Sequence, residues 1–277
     1  MLLYATLFLA AALSGLACWG LGGFEDLAWC WLLPAGFLAS LVALVAVLFV
    51  FLYICSCLVN IDKPQEEDSR FYRGLINVYA GAATALLRMR IQKSGLEKLP
   101  KDGRFLLVCN HINDLDPVLL LRVMPRCQLA FISKRENQQK FIVGKVMHKI
   151  LCQPINREND REALKTILKC IELLKKDMVS IGVFPEGYTS LDGLLHPFRS
   201  GVFKIAQKAN VPIVVCTVQN TNKVFKNIKK LKSTKVQLHI LDVIPAEELK
   251  EVSATEISDR IHAMMAEDLG PENVLQA

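Results

Sequence analysis

Two long apolar runs open the chain, at residues 2–21 and 29–61, and residues 20–26 form the short connection between them. About 20 apolar residues cross a hydrocarbon core of roughly 30 Å, so each run is long enough to span. Pro34 and a few small residues interrupt the second run only mildly. A cleaved signal peptide would need a charged start and a small-residue cleavage site. Met1-Leu2-Leu3-Tyr4 carries no charge, and a second apolar run follows at once. The pattern therefore predicts two transmembrane helices forming a hydrophobic anchor at residues 1–62. One span plus an interfacial hairpin is the alternative.

Beyond the polar linker at 62–68 the periodicity changes. Over residues 69–90, Phe71, Leu75, Val78, Tyr79, Ala82 and Leu86 recur at helical spacing. Such a helix, with arginines near its ends, either lies on lipid headgroups or docks on the body. Short, often β-branched apolar runs follow at 89–92, 104–109, 128–133, 150–155, 179–184, 211–218 and 235–244. Helical patterns separate them at 117–123, 138–149, 160–176 and 198–209, and another closes the chain at 254–269. Asp160 stands where the cap of the third of these belongs. Strand–helix alternation predicts an α/β fold: a central, mostly parallel sheet flanked by helices, in one body at 63–277. In such sheets, sites form at the carboxyl ends of strands. There is no internal repeat and no low-complexity tract.

Charge sharpens this division. All 33 basic residues lie beyond residue 62, whereas Glu25, Asp26 and Asp62 are the acidic residues before Lys63 out of 27 in all. The front is thus net −3 and the body net +9. Lys63, Arg70, Arg73, Arg88 and Arg90 follow the second run closely, so the positive-inside rule puts the body in the cytoplasm, on the cell membrane. Nine cysteines without regular spacing agree with a reducing compartment. Cys55 and Cys57 read as packing, and so do Cys109, Cys170 and Cys216 in their apolar runs. The basic body suits anionic lipid and a phosphate-bearing ligand. No nucleic-acid partner is expected.

Candidate chemistry gathers at strand ends. His111 follows the run 104–109 directly, and Asp116 stands four residues further on. Asp116-Pro117 also reads as a helix start, with Asp as cap and Pro at the first helical position. A carboxylate on one imidazole nitrogen fixes the tautomer and leaves the other nitrogen as a general base. On local geometry Asp114 competes with Asp116 for that place. Phe184-Pro185-Glu186-Gly187 ends another strand, and Glu186 there is either a substrate ligand or a structural bond to a neighbouring loop. Arg157 lies just past a third strand. Arg199, with Ser200-Gly201, opens a helix, where an anion is favoured. A thiol–imidazole pair of Cys109 with His111 is disfavoured, because Cys109 lies in an apolar strand. His148, His196, His239 and His262 lack metal-like spacing, and no nucleotide-type glycine loop is present.

Taken in order, these clusters resemble the motif blocks of the glycerolipid acyltransferases, and bacterial 1-acyl-sn-glycerol-3-phosphate acyltransferases in particular. The blocks are Asn110-His111 with Asp116, Arg157, Phe184-Pro185-Glu186-Gly187, and Val211-Pro212-Ile213-Val214; the likeness covers about residues 88–245. The resemblance implies transfer of an acyl group from coenzyme A or acyl carrier protein to lysophosphatidic acid, with no other cofactor. It implies His111 as base on the acceptor hydroxyl, Asp116 as its support, and no acyl-enzyme. Asn110, Arg157, Glu186, Gly187 and Arg199 are the implied substrate-binding residues, with Arg157 on the acceptor phosphate. In the family, Glu-Gly is usually followed by Thr-Arg-Ser, whose Arg helps hold that phosphate. Here the run is Tyr188-Thr189-Ser190. Arg199 stands where the family often has Lys. The missing Arg leaves another lysolipid acceptor open. A hydrolase using Ser190 or Cys109, and a membrane adaptor without catalysis, are remoter alternatives.

Overall fold

A computed structural model of the chain describes residues 1–25 and 27–275. Asp26, in the predicted connection, and Gln276 and Ala277, at the end of the predicted body, lie outside the described residues. Helices α1 (Leu2–Gly20) and α2 (Trp29–Cys57) pack as a hairpin. Small residues make this close approach possible. Thr6, Ala10, Ser14 and Cys18 are the buried stripe of α1, and a Cβ on Gly36 would sit 3.0 Å from Ser14 Oγ. The Ser14 hydroxyl donates to Leu33 O at 2.6 Å. Leu38, Val42, Val45 and Phe49 of α2 face outward. Both helices are long and apolar enough to cross a membrane; at ~1.5 Å per residue they reach ~28 and ~44 Å.

Helix α3 (Arg70–Leu86) joins this hairpin to the body. Its phenols Tyr72 and Tyr79 donate to Cys55 O and Leu48 O, at 2.7 and 2.8 Å. The buried stripe is Tyr72, Leu75, Ala80 and Thr84, whereas Phe71, Val78 and Leu86 of the predicted stripe face out. The helix is apolar on two sides, so periodicity alone did not pick the docked one. Arg73 is drawn inward: it pairs with Asp68 at 2.7 Å and donates to the carbonyls of Leu129 and Ile150.

The body holds β1 (Met89–Ser94), β2 (Leu106–Cys109), α4 (Asp116–Val123), β3 (Leu129–Lys134), α5 (Arg135–Gln139), α6 (Phe141–Lys149), β4 (Gln153–Ile155), α7 (Asp160–Lys175), β5 (Ser180–Val183), α8 (Lys204–Ala209), β6 (Ile213–Gln219), α9 (Val224–Ile228), β7 (Thr234–Ile244) and α10 (Ala254–Leu269). The strands form one seven-stranded sheet in the order β1-β7-β6-β2-β5-β3-β4. Each pairing is parallel except β6 with β7. The sheet is thus mostly parallel and helix-flanked, as the alternating pattern predicts. Every residue of β2 and β5 is buried, which is why both read as unbroken apolar runs rather than alternating ones.

Three boundaries differ from the sequence pattern. The run 138–149 is two helices, because Lys140 is extended; a Cβ on Gly144 would fall 2.0 Å from Gln138 O, so the second helix packs directly on the end of the first. The run 198–209 opens with a 3-10 turn, Ser200–Phe203, before α8. Asn159, not Asp160, caps α7, accepting from the amides of Arg161 and Glu162.

Candidate active site

The central strand β2 runs between β6 and β5, both parallel to it, so three carboxyl ends meet at one edge of the sheet. Asn110 closes the β2–β6 side. Its amide nitrogen donates to Val218 O at 2.9 Å and its amide oxygen accepts from Val218 N at 2.8 Å. Both ends of the buried side chain are thereby spent on the sheet. The expected substrate-side role of Asn110 gives way to a structural one. The chain then leaves the sheet at His111.

His111 Nδ1 lies 3.0 Å from Asp116 Oδ2. The same carboxylate accepts the backbone amides of Ile112 and Asn113 at 2.9 and 2.8 Å, and the Thr221 hydroxyl at 2.5 Å. Asp116 is fully buried, and four donors satisfy it. It does not cap α4, as Asp116-Pro117 suggested: it is the first helical residue, Leu115 precedes it as cap, and its side chain turns back into the loop. Asp114 is exposed and makes no contact with the imidazole, so the competition between the two aspartates is decided by burial. With the carboxylate on Nδ1, the ring carries its proton there and presents a lone pair at Nε2. The ring stacks on Phe184, centroids 4.1 Å apart.

Glu186 leaves β5 buried, 1% exposed. Its carboxylate accepts from His111 N at 2.7 Å, from His196 N at 3.1 Å and from the Ser190 hydroxyl. Burial raises its pKa, and these donors work against the shift. Of the two roles the sequence left open for Glu186, the geometry has the structural one: it ties the loop after β5 to the backbone of the base. Gly187 has φ 85°, and a Cβ there would fall 2.9 Å from Arg199 Nε. Glycine is required both for the turn and for the guanidinium lying against it.

Arg199 and Arg157 come from separate loops, yet the charge of Arg199 acts on Arg157. Arg157 is half-buried; burial and then the charge of Arg199 lower its pKa. Among the described residues neither arginine has a salt bridge. Glu136 acts on Arg157 in the opposite sense, and guanidiniums whose charges reach each other are chemically suited to an anion.

The loop from Gly187 to His196 carries groups that the sequence reading passed over. The Tyr188 phenol bonds His196 Nδ1 at 2.8 Å, and His196 Nε2 lies 2.9 Å from Asp192. The Thr189 hydroxyl lies 3.0 Å from His111 Nε2. The spacing Asp192-x-x-x-His196 was a visible signal, but His196 was weighed only as a metal ligand. The sequence marks Thr189 only as standing where the family usually has Arg, and nothing local marks Thr221. The rival nucleophiles fare poorly. Burial pushes the Cys109 thiol well above its ordinary pKa, and the Ser190 hydroxyl is held by Glu186, away from the imidazole. No group of three or more metal-binding side chains occurs among the described residues.

Residues 90–219 match the family model described as Acyltransferase, a span that contains each of the residues just placed except Thr221. Those 130 residues, just under half of the chain, are similar to that family. Among relatives, it is 37% identical over 131 residues to a chloroplastic 1-acyl-sn-glycerol-3-phosphate acyltransferase from Brassica napus, covering 47% of this chain and 37% of that protein. It is 28% identical over 183 residues to the alpha 1-acyl-sn-glycerol-3-phosphate acyltransferase of Bos taurus, covering 65% and 63%. The matched segment therefore spans less than two thirds of either relative's length. The crystal structure of PlsC, the 1-acyl-sn-glycerophosphate acyltransferase of Thermotoga maritima, superposes with a TM-score of 0.63. It is 23% identical, and the match covers 82% of this chain and 89% of that one. The fold is thus shared with a solved protein over most of this chain.

Proposed function

We propose that this protein moves a fatty acyl group from an acyl thioester to the free hydroxyl of 1-acyl-glycerol-3-phosphate, giving phosphatidic acid for phospholipid synthesis. The observation that carries the proposal is His111 Nε2, the nitrogen of a base oriented by the buried Asp116 and already within hydrogen-bond reach of a hydroxyl, that of Thr189. His111 takes the proton of the acceptor hydroxyl, which attacks the acyl carbonyl. Asp116 stabilises the imidazolium that forms, and the imidazolium then protonates the leaving group. Arg157 and Arg199 take the acceptor phosphate, and relatives bearing this activity in their names support that choice. The donor carrier is coenzyme A or acyl carrier protein, and the chemistry needs no further cofactor. The α1–α2 hairpin anchors the enzyme in the cell membrane with the basic body on the cytoplasmic side, where lysolipid is concentrated at the bilayer.

Thr189, at the position where the family usually has Arg, favours a second reading: acyl transfer to a lysolipid with a different head group. One assay separates the two. Membranes containing the wild type or His111→Ala are given oleoyl-coenzyme A or oleoyl-acyl carrier protein with lysophosphatidic acid or a panel of other lysolipids. Phosphatidic acid formed by the wild type alone supports the proposal. Product only with another lysolipid moves the acceptor and keeps the chemistry. Equal product from both proteins overturns the role of His111.

A further inference from the structure

We infer that the lysine-rich segment 223–235, with Leu231 at its tip, docks on the anionic phospholipid surface of the bilayer and holds the active-site edge of the sheet against it. The inference rests on the reading of a membrane-anchored acyltransferase and names a lipid contact outside the helical hairpin. Between Asp192 and Asp242 the chain has no acidic residue and nine basic ones, Arg199 and eight lysines. That equals the net +9 of the whole body. Six of them, Lys223, Lys226, Lys229, Lys230, Lys232 and Lys235, crowd into 13 residues. All six are exposed, and among the described residues none has a salt bridge. So dense a block of like charge repels itself and attracts an extended anionic partner.

Charge alone would fit any solvated surface, and two observations point to lipid. The first is apolar. Leu231 is 76% exposed and Phe225 is 48% exposed, both among the lysines. The tip is a held turn: Leu231 N donates to Ile228 O at 2.9 Å, Lys232 N donates to Asn227 O at 3.0 Å, and the Arg88 guanidinium donates to Leu231 O. A leucine presented among ammonium groups matches a surface with anionic headgroups over an apolar interior.

The second is position. β7 runs antiparallel to β6, with Gln219 opposite Gln237, so the segment joining them stands at the edge where β2, β5 and β6 end. Thr221, at its root, bonds Asp116. Arg88 follows α3, and α3 runs back along α2: Tyr72 meets Cys55 and Tyr79 meets Leu48. The last turn of α3 is thus directed toward the hairpin's connection, and Leu231 is tied to that end. Phe71, Val78 and Leu86 of α3 are exposed as well. Exposed apolar side chains therefore occur on α2, on α3 and at the tip that Arg88 ties to it. A bilayer covers all three at once, whereas an acidic donor protein on the lysines would leave the α3 side bare. Docked on lipid, the segment raises the concentration of an anionic lysolipid beside His111.

The test uses the full-length enzyme with Leu231→benzoylphenylalanine, a photoreactive residue, in vesicles of phosphatidylcholine with or without phosphatidylglycerol. Irradiation should join position 231 to phospholipid. The yield should rise with phosphatidylglycerol and fall from about 0.1 M to about 1 M salt, as the screening length drops from ~10 Å to ~3 Å. Lys229→Gln, Lys230→Gln and Lys232→Gln together should lower the docked-to-undocked ratio about 10²-fold, at roughly fivefold per lysine, and abolish the response to phosphatidylglycerol. Adducts equal in both vesicles and in both variants would overturn the ionic contact. Adducts with added acyl carrier protein in place of lipid would overturn the inference and give the segment to the donor. An enzyme that transfers acyl groups but forms no adduct would overturn it and leave the acyltransferase reading intact. Lipid adducts with the expected charge dependence in a protein without transferase activity would support the docking and sink that reading.

Discussion

Two histidine–aspartate pairs stand side by side in this site, His111–Asp116 and His196–Asp192. Their rings are alike: each has 14% side-chain exposure, a carboxylate on one nitrogen and a hydroxyl on the other. The hydroxyls even come from adjacent residues, Thr189 and Tyr188. The carboxylates differ. Asp116 is 0% exposed and holds four donors from two segments far apart in sequence, whereas Asp192 is 46% exposed and belongs to a local pair four residues apart. Asp192 has its pKa lowered chiefly by the Leu194 amide, with His196 a smaller cause. A carboxylate in water gives a neighbouring imidazole little, because solvent screens the pair. A buried, fully bonded one acts in a low dielectric and cannot turn away. The same residue types thus make a preorganised base in one place and a loop clasp in the other, and the carboxylate's surroundings make the difference.

Substitutions can break this contrast in order of size. His111→Ala should lower kcat by about 10²–10⁴, the usual worth of a general base, in the phosphatidic acid assay. Asp116→Asn should come next. It keeps the shape but puts an NH₂ or a poorer acceptor against Nδ1, and about 10²-fold in kcat is expected if the contribution approaches that of the base itself. Thr221→Val should remove one hydrogen bond to a buried charge; a cost of roughly 1.5–3 kcal/mol in stability is expected from denaturant melts, with lowered kcat and unchanged KM. Arg157→Ala serves as a control outside both pairs. It should raise KM about 10-fold for a phosphate-bearing acceptor, one charge-assisted contact, with kcat nearly kept. Smallest should be His196→Ala, which frees Tyr188 and should cost under about 5-fold in kcat. Should His196→Ala match His111→Ala in kcat, with both variants folded, the contrast drawn from carboxylate burial would be wrong.

Much of this was legible without coordinates. The strands fall within a few residues of the apolar runs, and the order of His111, Arg157 and Glu186 at strand ends matched a family pattern. Where the reading slipped, the cause was competition between local signals. Asp116-Pro117 carries a helix-start signature that is real, yet the aspartate's oxygens are taken by the preceding loop and by Thr221. Asn110 lies next to the base in sequence but completes the sheet through Val218. On α3, Phe71 and Tyr72 are both aromatic candidates for burial, and Tyr72 is the buried one, its phenol donating to Cys55 O of α2.

Local periodicity and charge sufficed for the apolar hairpin, the helix-flanked sheet and the edge at which chemistry collects, because a 3.6- or 2-residue repeat and a length of apolar chain are properties of neighbours along the chain. Three-dimensional packing was needed to show what holds Asp116 on the imidazole, to bring Arg199 within electrostatic reach of Arg157, and to put the Thr189 hydroxyl on His111. Each of those depends on a partner brought in from far along the chain, 105 residues for Thr221 with Asp116 and 78 for Thr189 with His111. No repeat encodes such distances; the parallel stacking of β5, β2 and β6 creates them by delivering three carboxyl ends to one edge.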